Sequence, residues 1–227
     1  MAARYDGLAE WYDQQFPGPF FDAVSHALDR LLGAGDGRCL DVGCGSGRYF
    51  EVLTTLGWHV TGIDESADQL RIARPRADSH GVELVKGDAT ALPFADASFD
   101  AVAAIMISTD VEPYERVVEE AARVLRRGGR FVHVGVHPCF VGPHSSQPDR
   151  AGRRTVSGGY RDRGFKRSSP AFHPDGIRIQ VGAVHVPLDD LLNAVSASGL
   201  RLEHAVEAFD EASPPAILAL RAVREAS

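Results

Sequence analysis

The chain has 227 residues and a formal net charge of −7, and hydrophobic residues make up 44% of it. This length suits one large α/β domain with a substantial core, whereas two complete domains would be cramped. Because the acidic balance provides no global positive field, we expect no nucleic-acid partner and a small-molecule substrate instead.

The cysteines do not suggest a disulfide framework, because there are three of them and two flank a glycine turn. The N-terminal residues contain no apolar signal segment, and nowhere do about eighteen apolar residues run together, as a membrane span would need. We therefore expect a cytoplasmic protein with no membrane partner. The oligomeric state is not predictable from these features.

Residues 1–35 are expected to be mainly helical. Trp11 and Tyr12 among acidic residues predict a short amphipathic helix, and apolar residues then recur at helical spacing from Phe20 to Leu32. Gly33 follows where a helix commonly ends.

Predicted strands and helices alternate over residues 36–136, which we take as a cofactor-binding core. The strands are predicted near 38–42, 59–63, 83–86, 99–107 and 130–136. Such alternation predicts a doubly wound, mostly parallel α/β sheet with helices on both faces. Two further strands, near 200–206 and 216–223, would bring the sheet to seven strands within one domain.

Residues 137–180 interrupt this rhythm, since they are rich in Gly, Pro, Ser and Arg. A loop of this length in a compact domain is usually functional, so we expect an insertion or lid over the substrate side. A further strand is predicted over 177–186 and a helix from Leu188. Residues 181–227 are expected to complete the sheet.

A glycine turn follows the first predicted strand, in the stretch from Arg38 to Arg48. Gly43, Gly45 and Gly47 alternate there, directly after Asp41. Glycine takes positive φ freely and has no Cβ, so this pattern predicts close approach of a ligand. The N-terminus of a following helix would favour a carboxylate or phosphate.

The spacing around the turn discriminates between nucleotide ligands. Asp64 lies about twenty residues further on, at the end of the second strand, where an acidic side chain can accept ribose hydroxyls. The dinucleotide pattern G-x-G-x-x-G would need glycine at Arg48, and no G-K-[ST] phosphate loop occurs. A phosphate-free nucleoside with a carboxylate is therefore favoured, and an NAD-dependent oxidoreductase is disfavoured.

The stretch from Leu40 to Gly47 resembles the D-x-G-x-G-x-G motif of Rossmann-like (class I) S-adenosylmethionine-dependent methyltransferases. The resemblance continues at Asp64, at Gly87-Asp88-Ala89 and at Leu125–Phe131, and so covers roughly residues 36–136. It implies methyl transfer from S-adenosyl-L-methionine to an O, N or C atom of a small molecule, leaving S-adenosylhomocysteine. The chain is most similar to the small-molecule group, which includes enzymes of specialised metabolism.

The resemblance also implies roles for individual residues. Asp41 and the glycine turn would hold the methionine part, Gly47 would allow tight packing, and Asp64 would take the ribose hydroxyls. The N-terminal segment also resembles the lid of these enzymes, which implies that residues 1–35 form a helical lid with Tyr12 in contact with the cofactor. An equal alternative is that the N-terminal helix buries Tyr12 simply as part of the core. The full set of implied cofactor contacts is Asp41, Gly43, Cys44, Gly45, Gly47, Asp64, Glu65, Asp88, Ala89, Ile105 and Tyr12.

Candidates for catalysis follow the ends of strands 4 and 5. His137 is a candidate base, and Asp110 a candidate acceptor contact, although Asp110 or Thr109 could instead cap the next helix. His133, His137 and Cys139 alternate as zinc ligands might, but without a CxxC or HExxH frame we expect no metal. His185 is equally well explained as a structural histidine.

The insertion concentrates positive charge in an otherwise acidic chain. Either it is a solvated loop, or it is a lid that attracts an anionic acceptor such as a carboxylate. The residues are Arg150, Arg153, Arg154, Arg161, Arg163, Lys166 and Arg167. Two other functions stay open: a non-methylating enzyme that cyclises S-adenosylmethionine, and a binding module that senses it.

Overall fold

The computed structural model describes residues 3–14, 18–147, 149–208 and 214–225. In chain order, the helices are α1 (Ala9–Gln14), α2 (Pro19–Leu32), α3 (Phe50–Thr55), α4 (Ala67–His80), α5 (Tyr114–Val124), α6 (Ile177–Val181) and α7 (Leu188–Ala197). The strands are β1 (Arg38–Val42), β2 (His59–Asp64), β3 (Glu83–Lys86), β4 (Phe99–Ile105), β5 (Leu125–Val136), β6 (Gly164–Lys166), β7 (Ala183–His185), β8 (Leu200–Ala208) and β9 (Ile217–Arg224).

Seven strands form the main sheet, in the order β3-β2-β1-β4-β5-β9-β8. The pairs among β1 to β5 are parallel, and β9 runs antiparallel to both β5 and β8. The predicted seven-stranded, mostly parallel sheet is therefore confirmed. The strand order reverses between β1 and β4, which is where sheets of this kind bind ligands.

Two apolar layers cover the sheet, one on each face. Side chains of α2, α3 and α4 pack on one face, and those of α5 and α7 pack on the other. Neighbouring residues of a strand point to opposite faces, so Cys39 joins the first layer and Leu40 the second. Burial on both faces explains why β4 is almost wholly apolar.

The predicted strand over 177–186 is wrong in its first half, which forms α6. Ile177 and Val181 are buried while Ile179 is 49% exposed, so burial follows the helical spacing of four residues. Gly182, at a φ of 71°, ends the helix. The second half is β7, which pairs with β6 in a separate two-stranded sheet.

Several helix ends also differ from the prediction. The sequence predicts that the helix after the glycine turn begins near Arg48, whereas in the structure it begins at Phe50. Helix α4 continues to His80 although Pro75 lies inside it, and Gly81 in the left-handed region caps it. No helix in these described ranges is both long enough and apolar enough to cross a membrane.

Candidate active site

A cavity of about 660 Å³ lies at the carboxyl ends of the central strands. This volume falls in the range of small-molecule sites. One half is walled by the ends of β1, β2 and β3. The other half, which we call the acceptor half, is walled by residues 3–5, the loop after β4 and parts of residues 136–186.

Asp41 lies on β1 in the cavity wall and is only 1% exposed. Neither of its carboxylate oxygens has a hydrogen-bond partner among the described residues. Burial, together with the nearby Asp64, raises the pKa of Asp41 to about 7. A buried carboxylate without donors is costly, so this group is suited to a ligand that brings N–H donors and positive charge.

Four N–H groups of the glycine turn are hydrogen-bonded within the protein. The N–H groups of Gly43 and Cys44 donate to the carbonyl of Ile63 at 2.8 and 3.0 Å, and that of Gly47 donates to Cys44 at 2.9 Å. The N–H of Gly45 donates to Asp64 Oδ2 at 2.8 Å. These four N–H groups are therefore not available to a ligand, and the turn contributes space for one instead.

That space is concentrated at Gly45. A Cβ at Gly43 would lie 2.4 Å from Ile107 Cδ1, and a Cβ at Gly47 would lie 2.3 Å from the Phe50 ring. At Gly45 a Cβ would approach only Gln69 Oε1, at 3.7 Å. Gly43 and Gly47 are thus required for packing, and Gly45 leaves room on the cavity side.

Asp64 is held in the cavity wall by two backbone donors. Its Oδ2 accepts from Gly45 and its Oδ1 accepts from Ser66 N at 2.9 Å. Burial nevertheless raises its pKa to about 6, and these two hydrogen bonds oppose that shift. Each oxygen keeps a further lone pair, which suits ligand hydroxyls.

The remaining predicted cofactor contacts lie in the same wall. Asp88 is oriented by Thr90, whose N–H and hydroxyl donate to its Oδ1 at 2.7 and 2.8 Å. The cavity wall therefore brings together nearly all the predicted set: Tyr12, Asp41, Gly43, Cys44, Gly45, Asp64, Glu65, Asp88, Ala89 and Ile105. Gly47 lies outside it and packs on Phe50.

Helix α1 lies against the glycine turn and is fastened there by Asp13. Asp13 Oδ1 accepts from Ser46 Oγ at 2.6 Å, and both its oxygens accept from Arg76 at 2.9 Å. These bonds lower the pKa of Asp13 although burial opposes them. Tyr12 thereby faces the cavity, with its ring centroid 5.1 Å from that of Tyr5.

Asp110 joins three segments of the chain in the acceptor half. Its Oδ1 accepts from the Tyr5 hydroxyl at 3.0 Å, and its Oδ2 accepts from Arg178 Nη2 at 3.1 Å. Arg178 also donates to Thr109 Oγ1 at 2.7 Å. The alternative that Asp110 or Thr109 caps the next helix is wrong, because Pro113 occupies that position without a side-chain bond.

His133 of β5 and His137, the residue that follows β5, do not converge. His133 Nδ1 bonds the Tyr114 hydroxyl at 2.7 Å, and burial lowers the His133 pKa to about 4. His137 Nε2 pairs with Glu207 Oε1 at 2.8 Å, while its Nδ1 accepts from Cys139 N at 3.2 Å. His137 is outside the described cavity wall. Within the ranges described, no cluster of three or more His, Cys, Asp or Glu could hold a metal.

His185, in the wall of the acceptor half, is packed against His144. His185 lines the cavity, and its Nε2 lies 2.7 Å from the carbonyl of Tyr160. Because a carbonyl only accepts, Nε2 carries the proton and Nδ1 carries a lone pair. His144 has the same arrangement toward the carbonyl of Cys139, and the two rings are 4.4 Å apart. Burial lowers the pKa of both histidines.

Sequence reasoning missed Arg178 and His144. Arg178 lies between apolar residues of α6, and a charged residue within such a segment is a signal that could have indicated a functional position. His144 lies in an irregular stretch without apolar periodicity, so no sequence signal placed it beside His185.

Comparison with known sequences agrees with this geometry. Residues 40–133 match a family described as a methyltransferase domain. A fatty-acid O-methyltransferase of Mycolicibacterium smegmatis is 38% identical over 105 residues, which are 45% of this chain and 38% of that protein. A demethylmenaquinone methyltransferase of Renibacterium salmoninarum is 38% identical over 150 residues, 62% of this chain and 60% of that protein. The chain thus spans less than two thirds of the length of these relatives.

Solved structures show the same fold. An S-adenosylmethionine-dependent methyltransferase from Mesorhizobium loti aligns with a TM-score of 0.72 and 25% identity, covering 96% of this chain and 99% of that one. The [4+2]-cyclase SpnF aligns with a TM-score of 0.64 and 19% identity, a likeness of fold alone that covers 90% of this chain and 81% of that one.

The sheet order and the position of the cavity define a Rossmann-like α/β protein with a cavity at the strand-order reversal. The family match over residues 40–133 and the fold shared with the Mesorhizobium loti enzyme support a class I S-adenosylmethionine-dependent methyltransferase.

Proposed function

We propose that this chain transfers the methyl group of S-adenosylmethionine to a small-molecule acceptor. The observation that carries the proposal is Asp41, whose buried carboxylate has no partner in the described protein and lies in the cavity wall beside the open side of Gly45. An amino-acid ammonium group supplies both the donors and the charge that this carboxylate needs.

The residues present fit the donor. Asp41 would take its amino-acid end and Asp64 its ribose hydroxyls, with Asp88 and Ala89 at the adenine. When bound, S-adenosylmethionine supplies a methyl group on a sulfonium, which needs a correctly aligned acceptor. Tyr12 would cover the site from α1, fastened through Asp13.

The acceptor half contributes orientation and exclusion of water, which supply much of the rate in an in-line displacement. Its wall includes the apolar side chains of Met106, Val141, Phe172 and Ile177. The relatives named for fatty-acid and demethylmenaquinone methylation suggest acceptors with apolar parts, and this wall supports the same for the present chain.

A general base is required only where the acceptor must lose a proton. Of the predicted candidates, the Asp110 carboxylate is bonded to Tyr5 and Arg178, and His137 is bonded to Glu207. We favour His185 for this step, because its Nδ1 lone pair belongs to a ring in the cavity wall.

We also place the protein in the cytoplasm, since its three cysteines are unpaired.

Calorimetric titration with S-adenosylhomocysteine tests the donor site. We expect micromolar binding, a loss of about 100-fold in Asp41→Ala, and no change in the control Asp96→Ala, whose side chain is 77% exposed. Equal binding by wild type and Asp41→Ala would refute the site. Binding of NADH in place of S-adenosylhomocysteine would refute the function.

Product analysis with labelled S-adenosylmethionine separates the alternatives. Formation of S-adenosylhomocysteine with a methylated acceptor supports the proposal. Methylthioadenosine would indicate cyclisation of the donor instead, and tight binding without any product would favour a sensing role.

A further inference from the structure

Two neighbouring arginines of the insertion have different surroundings. The Arg153 side chain is 80% exposed and pairs with Asp149, with Nη2 and Oδ2 2.8 Å apart. Arg154 is half-buried and lines the acceptor half of the cavity. The positive charge of the insertion is therefore divided between solvent and the cavity.

The guanidinium of Arg154 is incompletely bonded. Its Nη1 donates to the carbonyl of Ser146 at 3.2 Å, whereas its buried Nε has no hydrogen-bond partner among the described residues. Nε and Nη2 form the edge of the guanidinium that approaches carboxylates with two parallel N–H groups. One of the two donors on that edge is thus buried and unbonded.

Arg154 also lacks a counter-charge in the described ranges. Arg178, in the same half of the cavity, pairs with Asp110, but no carboxylate there forms an ion pair with Arg154. Glu112 lines the cavity as well and is not paired with Arg154. Burial of an uncompensated cation is unfavourable, and the pKa of Arg154 is lowered accordingly.

A second cation lies in the same wall. Arg4 Nη1 is buried without a hydrogen-bond partner, and its guanidinium lies 4.5 Å from the centroid of the Phe165 ring. The apolar side chains of Val141, Phe172 and Ile177 complete this half. The combination suits a molecule with an apolar body and an anionic end.

We propose that the methyl acceptor carries a carboxylate and that Arg154 binds this group through its Nε edge. The inference rests on the proposed methyltransferase function, since it identifies the chemical class of the acceptor for the same cavity. Arginine matches a carboxylate with two donors in one plane, which a lysine would not reproduce.

The test uses matched pairs of probes that differ only in charge: 3-phenylpropionate with 3-phenylpropanamide, and octanoate with octanamide. Each is titrated by calorimetry into protein saturated with S-adenosylhomocysteine. We expect at least one carboxylate to bind about tenfold more tightly than its amide, and Arg154→Gln to remove that preference.

Arg153→Gln is the matched control and should keep the preference, while Arg154→Lys should keep part of it. Thermal melting and S-adenosylhomocysteine affinity should be unchanged in Arg154→Gln. That result would show that the variant is folded. If no carboxylate is preferred, or if Arg153→Gln loses the preference equally, the inference is overturned.

Failure of the proposed function is distinguishable from this outcome. If S-adenosylhomocysteine does not bind, the titrations are repeated without it, and the charge preference still tests Arg154. If S-adenosylhomocysteine binds and the carboxylates show no preference, only the assignment of the acceptor class is wrong.

Discussion

The three glycines of one motif have three different surroundings. Their spacing predicted close approach of a ligand, but the spacing alone could not distinguish Gly45 from its neighbours. Gly43 and Gly47 face Ile107 and Phe50, residues whose positions depend on the folded chain. The sequence therefore predicts the location of the site, and only the structure separates the packing glycines from the one at the cavity.

This difference predicts that two similar substitutions affect ligand binding and stability to different degrees. Gly45→Ala should leave the fold intact at a cost of about 1–2 kcal/mol for its positive φ, and should weaken S-adenosylhomocysteine binding about tenfold or more. Gly47→Ala should destabilise by about 2–4 kcal/mol, because its Cβ would overlap the Phe50 ring. Thermal melts and calorimetry measure both, and undiminished binding by Gly45→Ala would contradict the assignment.

At the scale of elements, α1 depends on contacts that are distant in sequence. Its position over the glycine turn rests on the bonds from Asp13 to Ser46 and Arg76. The amphipathic pattern predicted a helix near Tyr12, but no local pattern could indicate a partner about sixty residues away. In α6 the residues Ile177, Ile179 and Val181 alternate with polar residues as they would in a strand, and the helix becomes evident only from the exposure of Ile179 in the folded chain.

We predict that Asp13→Ala loosens α1 and lowers S-adenosylhomocysteine affinity by about tenfold, because the wall that contains Tyr12 loses its fastening. Glu10→Ala is the matched control on the same helix, since Glu10 pairs with Arg71 in a bridge whose side chains are 58% and 68% exposed. Limited proteolysis should cut the Asp13 variant sooner near residue 18. Equal affinity in the two variants would show that α1 does not contribute to the site.

At the scale of the whole molecule, the cavity makes stability depend on pH. The folded-state pKa of Asp41, about 7, lies above its ordinary value of 3.8. The folded protein therefore binds more protons than the unfolded chain between these values, and stability falls as pH rises through that window. The full loss is roughly 4 kcal/mol, taking about 1.4 kcal/mol per pKa unit.

Asp41→Asn should remove much of this dependence. At pH 8 we expect the ligand-free variant to be about 2 kcal/mol more stable than wild type, a rise in Tm of about 4–8 °C. At pH 4, where both side chains are uncharged, the difference should nearly vanish. Asp96→Asn serves as the control, and a parallel pH dependence of Tm in wild type and Asp41→Asn would contradict the prediction.

The segment between β5 and α7 bears on how the acceptor specificity of this protein can change in evolution. The family match ends at residue 133, whereas Arg154, Arg178 and His185 all follow in residues 137–187. The half of the cavity at the ends of β1, β2 and β3, where we propose that S-adenosylmethionine binds, and the acceptor half are thus formed largely by separate stretches of chain. Exchange of one contiguous segment would change the acceptor and leave the half at β1, β2 and β3 unchanged.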